Sequence, residues 1–321
     1  MQNLIGDEMR SFSFLTERHI IITLLNITIL GDESETEPRL LTLDFKAESC
    51  EQLTVDDAKY VCLFSYPRLD ARVTLLEFTI RSDPSPTWKP SSELPAPFFT
   101  SRENRLYVVS LWIRVMDEVQ CIVLYAPLSV FVSHLSGLNP GAMPHALDWE
   151  AWGPEGTRMV MPPQPHSNVW VCYVFGSKYI ASELYGRMNE LHFDVHVYDF
   201  NQLALKQTIP EGHDSGDPDF SSPSLEGGTD DRTLFVTTPT VFEPHYIFED
   251  VVQTTLPYRV RAFPLDSMSF FHCAVMCSED SLIIVDVRVI HCVFITANPS
   301  DEMKSHTKPS LDRKEYRILT F

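Results

Sequence analysis

Short runs rich in Val, Ile, Thr, Tyr, Phe and Trp recur along most of the chain, separated by Pro, Gly, Asp and Asn. Runs of this length and composition are typical of β-strands, and 23 prolines placed between them suit short sheet edges and fixed turns. The strand prediction includes "SVFVSHL" at 129 to 135, whereas only "AKYVCLF" and "SKYIASELYGRMNEL" look helical. The sequence therefore predicts an all-β fold.

The chain length is compatible with a β-propeller. A four-stranded blade uses about 40–45 residues, so a chain of this size would form roughly seven blades. The predicted architecture is an irregular β-propeller, and a pair of stacked β-sandwiches is the alternative, since no repeated Gly-His or Trp-Asp signature occurs at the blade period. In a closed ring, "SFSFL" and the terminal "YRILTF" are expected to share one sheet.

The expected domain organisation has four parts. Residues 1–10 form an N-terminal extension, and residues 11–297 form the propeller-like domain. Within it, residues 211–231 contain seven acids and no base, which predicts a disordered acidic loop. Residues 298–315 are a polar insertion, and residues 316–321 form a terminal strand.

The net charge of −19 argues against binding to nucleic acid phosphates or to an anionic membrane. No basic segment followed by an apolar core opens the chain, and no apolar run is long enough to cross a bilayer. We therefore expect an intracellular protein, cytoplasmic or nuclear. The seven cysteines form no C-x-x-C pair and are predicted to be reduced, packed thiols, and no cofactor is expected.

The stretch "LHFDVHVYDFNQLALKQ" places His192, Asp194 and His196 on one face of a predicted strand. A metal ion needs ligands that converge, but residues i and i+4 of a strand lie roughly 13 Å apart. The three residues are therefore interpreted as the polar face of a half-buried strand, without metal.

Two further clusters have simpler interpretations. The spacing of the cysteines and histidines near residue 280 matches no zinc module, so core thiols are expected there. The aspartates of "HDSGDPDF" lack the spacing of a calcium loop, so a solvated loop is expected. The residues concerned are His272, Cys273, Cys277 and His291 in the first cluster, and Asp214, Asp217 and Asp219 in the second.

No common nucleotide-binding or protease motif occurs in the sequence. A glycosidase needs only two well-placed carboxylates, so a carbohydrate-active or other enzyme on an all-β scaffold stays the alternative to a non-enzymatic interaction module.

Aromatic and arginine side chains dominate many protein-binding surfaces. Trp149 and Trp152, in the Gly/Pro-containing "DWEAWGPEG", are the expected exposed pair, whereas a strand tryptophan such as Trp170 is expected in the core. The candidate partner-binding residues are Trp112, Arg114, Trp149, Trp152, Tyr258 and Arg259.

Several stretches together resemble the carboxy-terminal region of the large F-box protein family of mushroom-forming fungi. The resemblance runs from about Ser11 to Asp286 and returns at Tyr316 to Phe321. It is carried by "SFLTERHIII", "PRLLTLDF", "VTLLEFTIRSDPSP", "WEAWGPEGTRM", "HVYDFNQLA", "LPYRVR", "VMCSEDSLIIVD" and "YRILTF".

The resemblance implies a target-recognition domain of an F-box-type ubiquitin-ligase receptor, with an unknown protein as target. Only ten residues precede the first matching strand, too few for an F-box, so binding to the ligase adaptor is not expected from this chain. Residues 287–315 separate stretches that resemble the family, and are either an insertion or retained non-coding sequence.

Overall fold

The structure is a computed structural model. It describes residues 8–30, 33–46, 60–87, 102–135, 145–162, 173–187, 190–208, 233–265, 273–277, 281–286 and 315–320. These residues form nineteen β-strands in five sheets, with three short α-helices and one 3-10 turn at Arg102–Asn104. The all-β prediction is confirmed.

The first two sheets use the first half of the chain. The first has the order β1 (Glu8–Phe14), β2 (His19–Leu30), β3 (Glu33–Asp44), β4 (Tyr60–Ser65) and β8 (His145–Leu147). The second has the order β5 (Val73–Arg81), β6 (Leu106–Val115), β7 (Glu118–Pro127) and β9 (Arg158–Val160). All pairs in these sheets are antiparallel except β4 with β8.

The third sheet has the order β10 (Val174–Phe175), β11 (Lys178–Arg187), β12 (Glu190–Asp199), β16 (Tyr258–Leu265) and β13 (Thr233–Val236). A strand pair is formed by β14 (Thr240–Phe242) and β15 (Val252–Thr254). The last sheet contains β17 (Cys273–Cys277), β18 (Ser281–Asp286) and β19 (Glu315–Thr320). The helices are α1 (Leu128–Leu135), α2 (Trp149–Trp152) and α3 (Gln202–Thr208).

The first and last strands do not share a sheet, so the prediction that "SFSFL" and "YRILTF" would do so is wrong. Strand β1 pairs with β2 through the short turn that joins them, and β19 pairs with β18. Hairpin pairing costs little loop entropy, and it leaves β1 at the edge of the first sheet. The described sheets contain five, four, five, two and three strands, and they show no closed ring.

Three runs form a different type of secondary structure from the one predicted. The run "SVFVSHL" forms most of α1, where Leu128 and Phe131, three residues apart, are buried together. The helix-like run after Ser177 forms β11, which pairs with β12 along its whole length. The other helix-like run enters β4 at Tyr60. Sheet pairing and core contacts override helix propensity at these positions.

Two hydrophobic clusters connect the sheets. One packs residues of the first and second sheets together with α1 and α2, including Phe64, Phe78 and Phe131. The other joins the second and third sheets through Tyr125, Tyr179 and neighbouring apolar residues. The helices among the described residues are too short to span a membrane.

Candidate interaction surfaces

Trp149 and Trp152, the expected exposed pair, are in fact buried, with about 5% of each residue accessible. Their rings meet edge to face, and Trp152 Nε1 donates a hydrogen bond to the Ser65 carbonyl at 3.0 Å. A Cβ atom at Gly153 would overlap the Trp149 ring, so glycine is required where the chain leaves α2. Both tryptophans belong to the core between the first two sheets.

Tyr258 and Arg259 were also expected to contact a partner. Tyr258 is buried, and the Arg158 guanidinium lies 5.2 Å from the centre of its ring. Arg259 is partly exposed, but its guanidinium binds Asp199 through Nε at 3.1 Å and Nη2 at 2.7 Å. The prediction is therefore wrong for Tyr258, and Arg259 has a structural ion-pair partner within the sheet.

The other predicted pair, Trp112 and Arg114, lies on one face of β6. Arg114 is exposed, whereas Trp112 is half-buried against the second hydrophobic cluster. Across the ladder, Arg114 faces Val119, which is 53% exposed. Of the six predicted partner-binding residues, these two are brought together at the surface.

The polar-face interpretation is wrong for Asp194, which is only 4% exposed. It lies on β12, a central strand paired with β11 on one side and β16 on the other. His196 is half-buried beside the Tyr198 ring. In the part of the chain that the structure describes, no three His, Cys, Asp or Glu residues converge as a metal site would require.

The structure describes the side chains of two cysteines, and burial determines the protonation state of both thiols. Cys62 and Cys121 are free and buried, and burial raises the pKa of each thiol to about 12. Both are therefore protonated at neutral pH and poor nucleophiles, which agrees with the prediction of packed thiols. Several other predictions fall on positions or side chains outside the described residues: Trp170, His192, Asp214, Asp217, Asp219, His272, Cys273, Cys277, His291, and the ranges 211–231 and 298–314.

An aromatic surface that the sequence pattern did not predict lies on the first sheet, and we call Phe12, Phe14 and Phe45 the Phe patch. These side chains are 50%, 43% and 39% exposed. Phe14 meets Phe12 and Phe45 edge to face, with ring centres 5.9 and 6.0 Å apart. The three rings form one contiguous apolar surface rather than isolated exposed residues.

The Phe patch exists because β1 turns its serines inward. Ser11 Oγ lies 3.3 Å from both the backbone nitrogen and the carbonyl oxygen of Ile80 on β5, an edge strand of the second sheet. On β2, Thr23 Oγ1 lies 3.0 Å from the Phe78 carbonyl oxygen of the same edge strand. These hydroxyls satisfy backbone groups that would otherwise be unpaired, and strand alternation then places Phe12 and Phe14 on the opposite face.

The backbone of the patch is anchored from beneath. Arg105 Nη1 and Tyr107 Oη both donate to the Phe14 carbonyl, at 2.8 and 2.7 Å, and Arg105 Nη2 donates to the Leu15 carbonyl. Arg105 is almost completely buried, so the end of β1 is held to the second sheet by a buried cation. The period-2 pattern of "SFSFL" predicted the strand, but it did not indicate which face would be covered.

The patch borders buried residues of the sheet. Across the ladder, Phe12 pairs with Ile22, which is buried, and Phe14 pairs with Ile20, which is half-buried. Beside it, Arg18 Nε donates to Asp44 Oδ2 at 2.6 Å. An apolar surface flanked by a closed ion pair has the composition of a protein-binding surface with a polar rim.

Two pockets among the described residues each lack a pair of carboxylates in their walls. One, of about 140 Å³, is lined by Glu103 and Arg105 among others. The other, of about 620 Å³ beside β14, contains one carboxylate, Glu243. Glycoside hydrolysis needs a pair of carboxyl groups, so neither pocket has that arrangement.

No protein-family model, curated protein or solved structure matches the chain.

Proposed function

We propose that the chain is a protein-interaction module that binds a partner protein through the Phe patch. The observation that carries this proposal is the inverted pattern of β1, in which Ser11 and Ser13 face inward while Phe12 and Phe14 face solvent. Local departures from the apolar-inside rule concentrate at functional sites, because a fold tolerates them where another advantage compensates.

The patch has the properties of a binding hot spot. Aromatic anchors near the centre of an interface contribute most of its binding free energy, and full burial of one phenylalanine contributes about 1.5–3 kcal/mol. Because β1 is anchored by Arg105 and Tyr107, a partner would not have to order the strand on binding. The net charge of −19 supports a partner other than nucleic acid or an anionic membrane.

The F-box relationship is part of the proposal and rests on the sequence resemblance. In this form, the chain is the target-recognition part of a ubiquitin-ligase receptor. An enzyme is the less favoured function, because the described pockets offer no paired carboxylates.

We also propose that the sheets are arranged as blades of an irregular propeller. The support is that chain neighbours β1 to β4, β5 to β7, and β10 to β12 form consecutive antiparallel ladders, as within blades. An experimental structure that shows two packed sandwiches in place of blades around an axis would contradict this arrangement.

Affinity capture with matched variants tests the function. The tagged wild-type chain is compared with a Phe12→Thr, Phe14→Thr variant and with a control, Leu203→Gln, Leu234→Thr, which removes two other exposed apolar side chains. Threonine keeps the strand propensity, so β1 should remain folded. We expect a specific protein partner to be retained by the wild type and the control and lost by the Phe variant. Partners retained equally by all three chains would contradict a role for the patch, and turnover of a small substrate without a stable partner would contradict the module itself.

A second experiment tests the F-box part of the proposal. The chain is fused to an F-box segment, and ubiquitin attached to the captured partner is measured with this fusion and with the same fusion carrying Phe12→Thr and Phe14→Thr. We expect the first fusion to increase ubiquitylation of the partner and the second to leave it unchanged. Equal ubiquitylation with both fusions would contradict target recognition through the Phe patch.

A further inference from the structure

A pocket of about 620 Å³ opens beside β14, and we call it the β14 pocket. Its wall is mostly apolar: Met161, Val241 and Tyr246 line it and are each 43–50% exposed, and Phe242 is half-buried. The residues that line it, all of them described, include one carboxylate, Glu243, and no lysine or arginine. Apolar walls with a few polar groups are typical of sites that accept an apolar group of a ligand.

The wall of this pocket is held in place from two sides. Arg158 is completely buried, and its Nη1 donates to the Thr238 carbonyl at 2.7 Å and to Thr240 Oγ1 at 2.9 Å, both on pocket-lining residues. On the other side, Gln120 Nε2 donates to the Tyr246 hydroxyl at 3.0 Å. A preformed pocket loses less conformational entropy on binding than one that must be ordered.

The surroundings of the pocket are negatively charged. Gln120 Nε2 also lies 3.4 Å from Glu118 Oε2, which places a second carboxylate near Tyr246, and Glu243 is exposed. Nearby, Arg72 donates to the His245 carbonyl, and its charge is paired with Asp70 at 2.8 Å. The Arg158 guanidinium beneath the wall binds carbonyl oxygens and does not line the pocket.

We infer that the β14 pocket binds an apolar side chain from a partner peptide that carries lysine or arginine on both sides of it. The apolar side chain contacts Val241, Phe242 and Tyr246, and the flanking cations meet Glu118 and Glu243. Charge complementarity with a chain of net charge −19 selects a basic segment over an acidic one. This inference rests on the proposed function and adds a second contact surface, with a stated partner chemistry, to the Phe patch.

The probe is a fluorescein-labelled peptide with one leucine between two pairs of lysines. Two control peptides replace the leucine by serine or all lysines by glutamates, and binding to the purified chain is measured by fluorescence anisotropy. We expect the leucine-lysine peptide to bind and the serine peptide to bind about tenfold more weakly, because one buried leucine contributes at least that factor. The glutamate peptide should show no binding.

Variants of the protein test whether the peptide binds in the β14 pocket. Val241→Lys should weaken peptide binding about tenfold, because it places a positive charge in the pocket wall that repels the lysines of the peptide. Glu243→Gln should weaken binding about threefold, because it removes a negative charge that attracts them. Glu150→Gln removes the same charge from an exposed helix position that does not line the pocket, and should change binding less than twofold. Equal losses in Glu150→Gln and Glu243→Gln, equal binding of serine and leucine peptides, or no binding to the wild type would each overturn the inference. The Phe patch variant should bind the peptide normally, so this inference and the proposed function can fail separately.

Discussion

At the scale of single residues, burial was the property that sequence pattern predicted least well. The Gly and Pro residues around Trp149 and Trp152 indicated a loop, yet both indoles are core residues of a four-residue helix. In contrast, Phe12 and Phe14 lie in an apolar strand run and are exposed. The residue type therefore did not predict whether a side chain is buried or exposed. Burial depends on whether a neighbouring sheet covers the face of the strand on which the side chain lies.

The assignment of Trp152 to the hydrophobic core can be tested by substitution. Trp152→Ala should lower the free energy of unfolding by about 3–5 kcal/mol, because it leaves a cavity and removes the donor to the Ser65 carbonyl. Arg114→Ala, at an exposed strand position, should change it by less than about 0.5 kcal/mol. Urea unfolding monitored by circular dichroism measures both, and similar small effects of the two substitutions would show that Trp152 is not a core residue.

Asp70 gives a prediction about pH. Hydrogen bonds from the Arg72 guanidinium and backbone lower the pKa of the Asp70 carboxyl from 3.8 to about 2. A carboxyl group whose pKa is lower in the folded state stabilises the fold above its unfolded pKa, and this contribution is lost as the pH falls from about 4 towards 2. Asp70→Asn should therefore flatten the fall of Tm in that pH window, with Asp117→Asn, on the exposed β6–β7 turn, as the control. Parallel Tm curves for wild type and Asp70→Asn would contradict the assigned interaction.

At the scale of elements, strand existence was well predicted, whereas short helices were not. The run "FNQLALKQ" contains a helix start signal: Asn201 lies just before α3, and the Leu203 and Ala204 backbone nitrogens both lie 3.2 Å from its Oδ1. Asparagine is among the preferred residues at this position. The composition of α1 gave the opposite indication, because its β-branched valines favour a strand.

The α3 cap can be tested directly. Asn201→Ala should reduce the free energy of unfolding by about 1 kcal/mol, because two backbone donors lose their acceptor, and Asn201→Asp should retain most of the stability. Comparison of the urea midpoints of the two variants with that of the wild type measures the effect. An alanine variant as stable as the aspartate variant would show that the cap contributes nothing.

At the scale of the whole molecule, buried arginines connect the sheets. Arg158 starts β9 of the second sheet, and its guanidinium donates to Leu256, next to the third sheet, and to Thr238 and Thr240 beside β14. Arg105 connects the second sheet to β1 in the same way. Neither role was predicted, because the partners are backbone carbonyls that lie far away in the sequence.

Removal of the Arg158 contacts should loosen these connections. Arg158→Met keeps much of the side-chain volume but leaves several carbonyl groups without a donor, and we expect a loss of about 3 kcal/mol or more. The β14 pocket wall should also become accessible to limited proteolysis near residues 238–241. Unchanged urea stability together with an unchanged proteolysis pattern would contradict this connecting role.

The sequence by itself determined that the chain forms strands, because alternation and β-branched composition act over a few neighbouring residues. It also predicted packed, unreactive thiols at Cys62 and Cys121, since both lie in strand-like runs whose neighbouring residues are mostly apolar. Only the tertiary structure decided which face of β1 is covered, where the two tryptophans pack, and how the β14 pocket is formed. Alternation defines two faces of a strand but does not specify which one meets another sheet, and that choice depends on contacts such as Ser11 with Ile80, 69 residues apart.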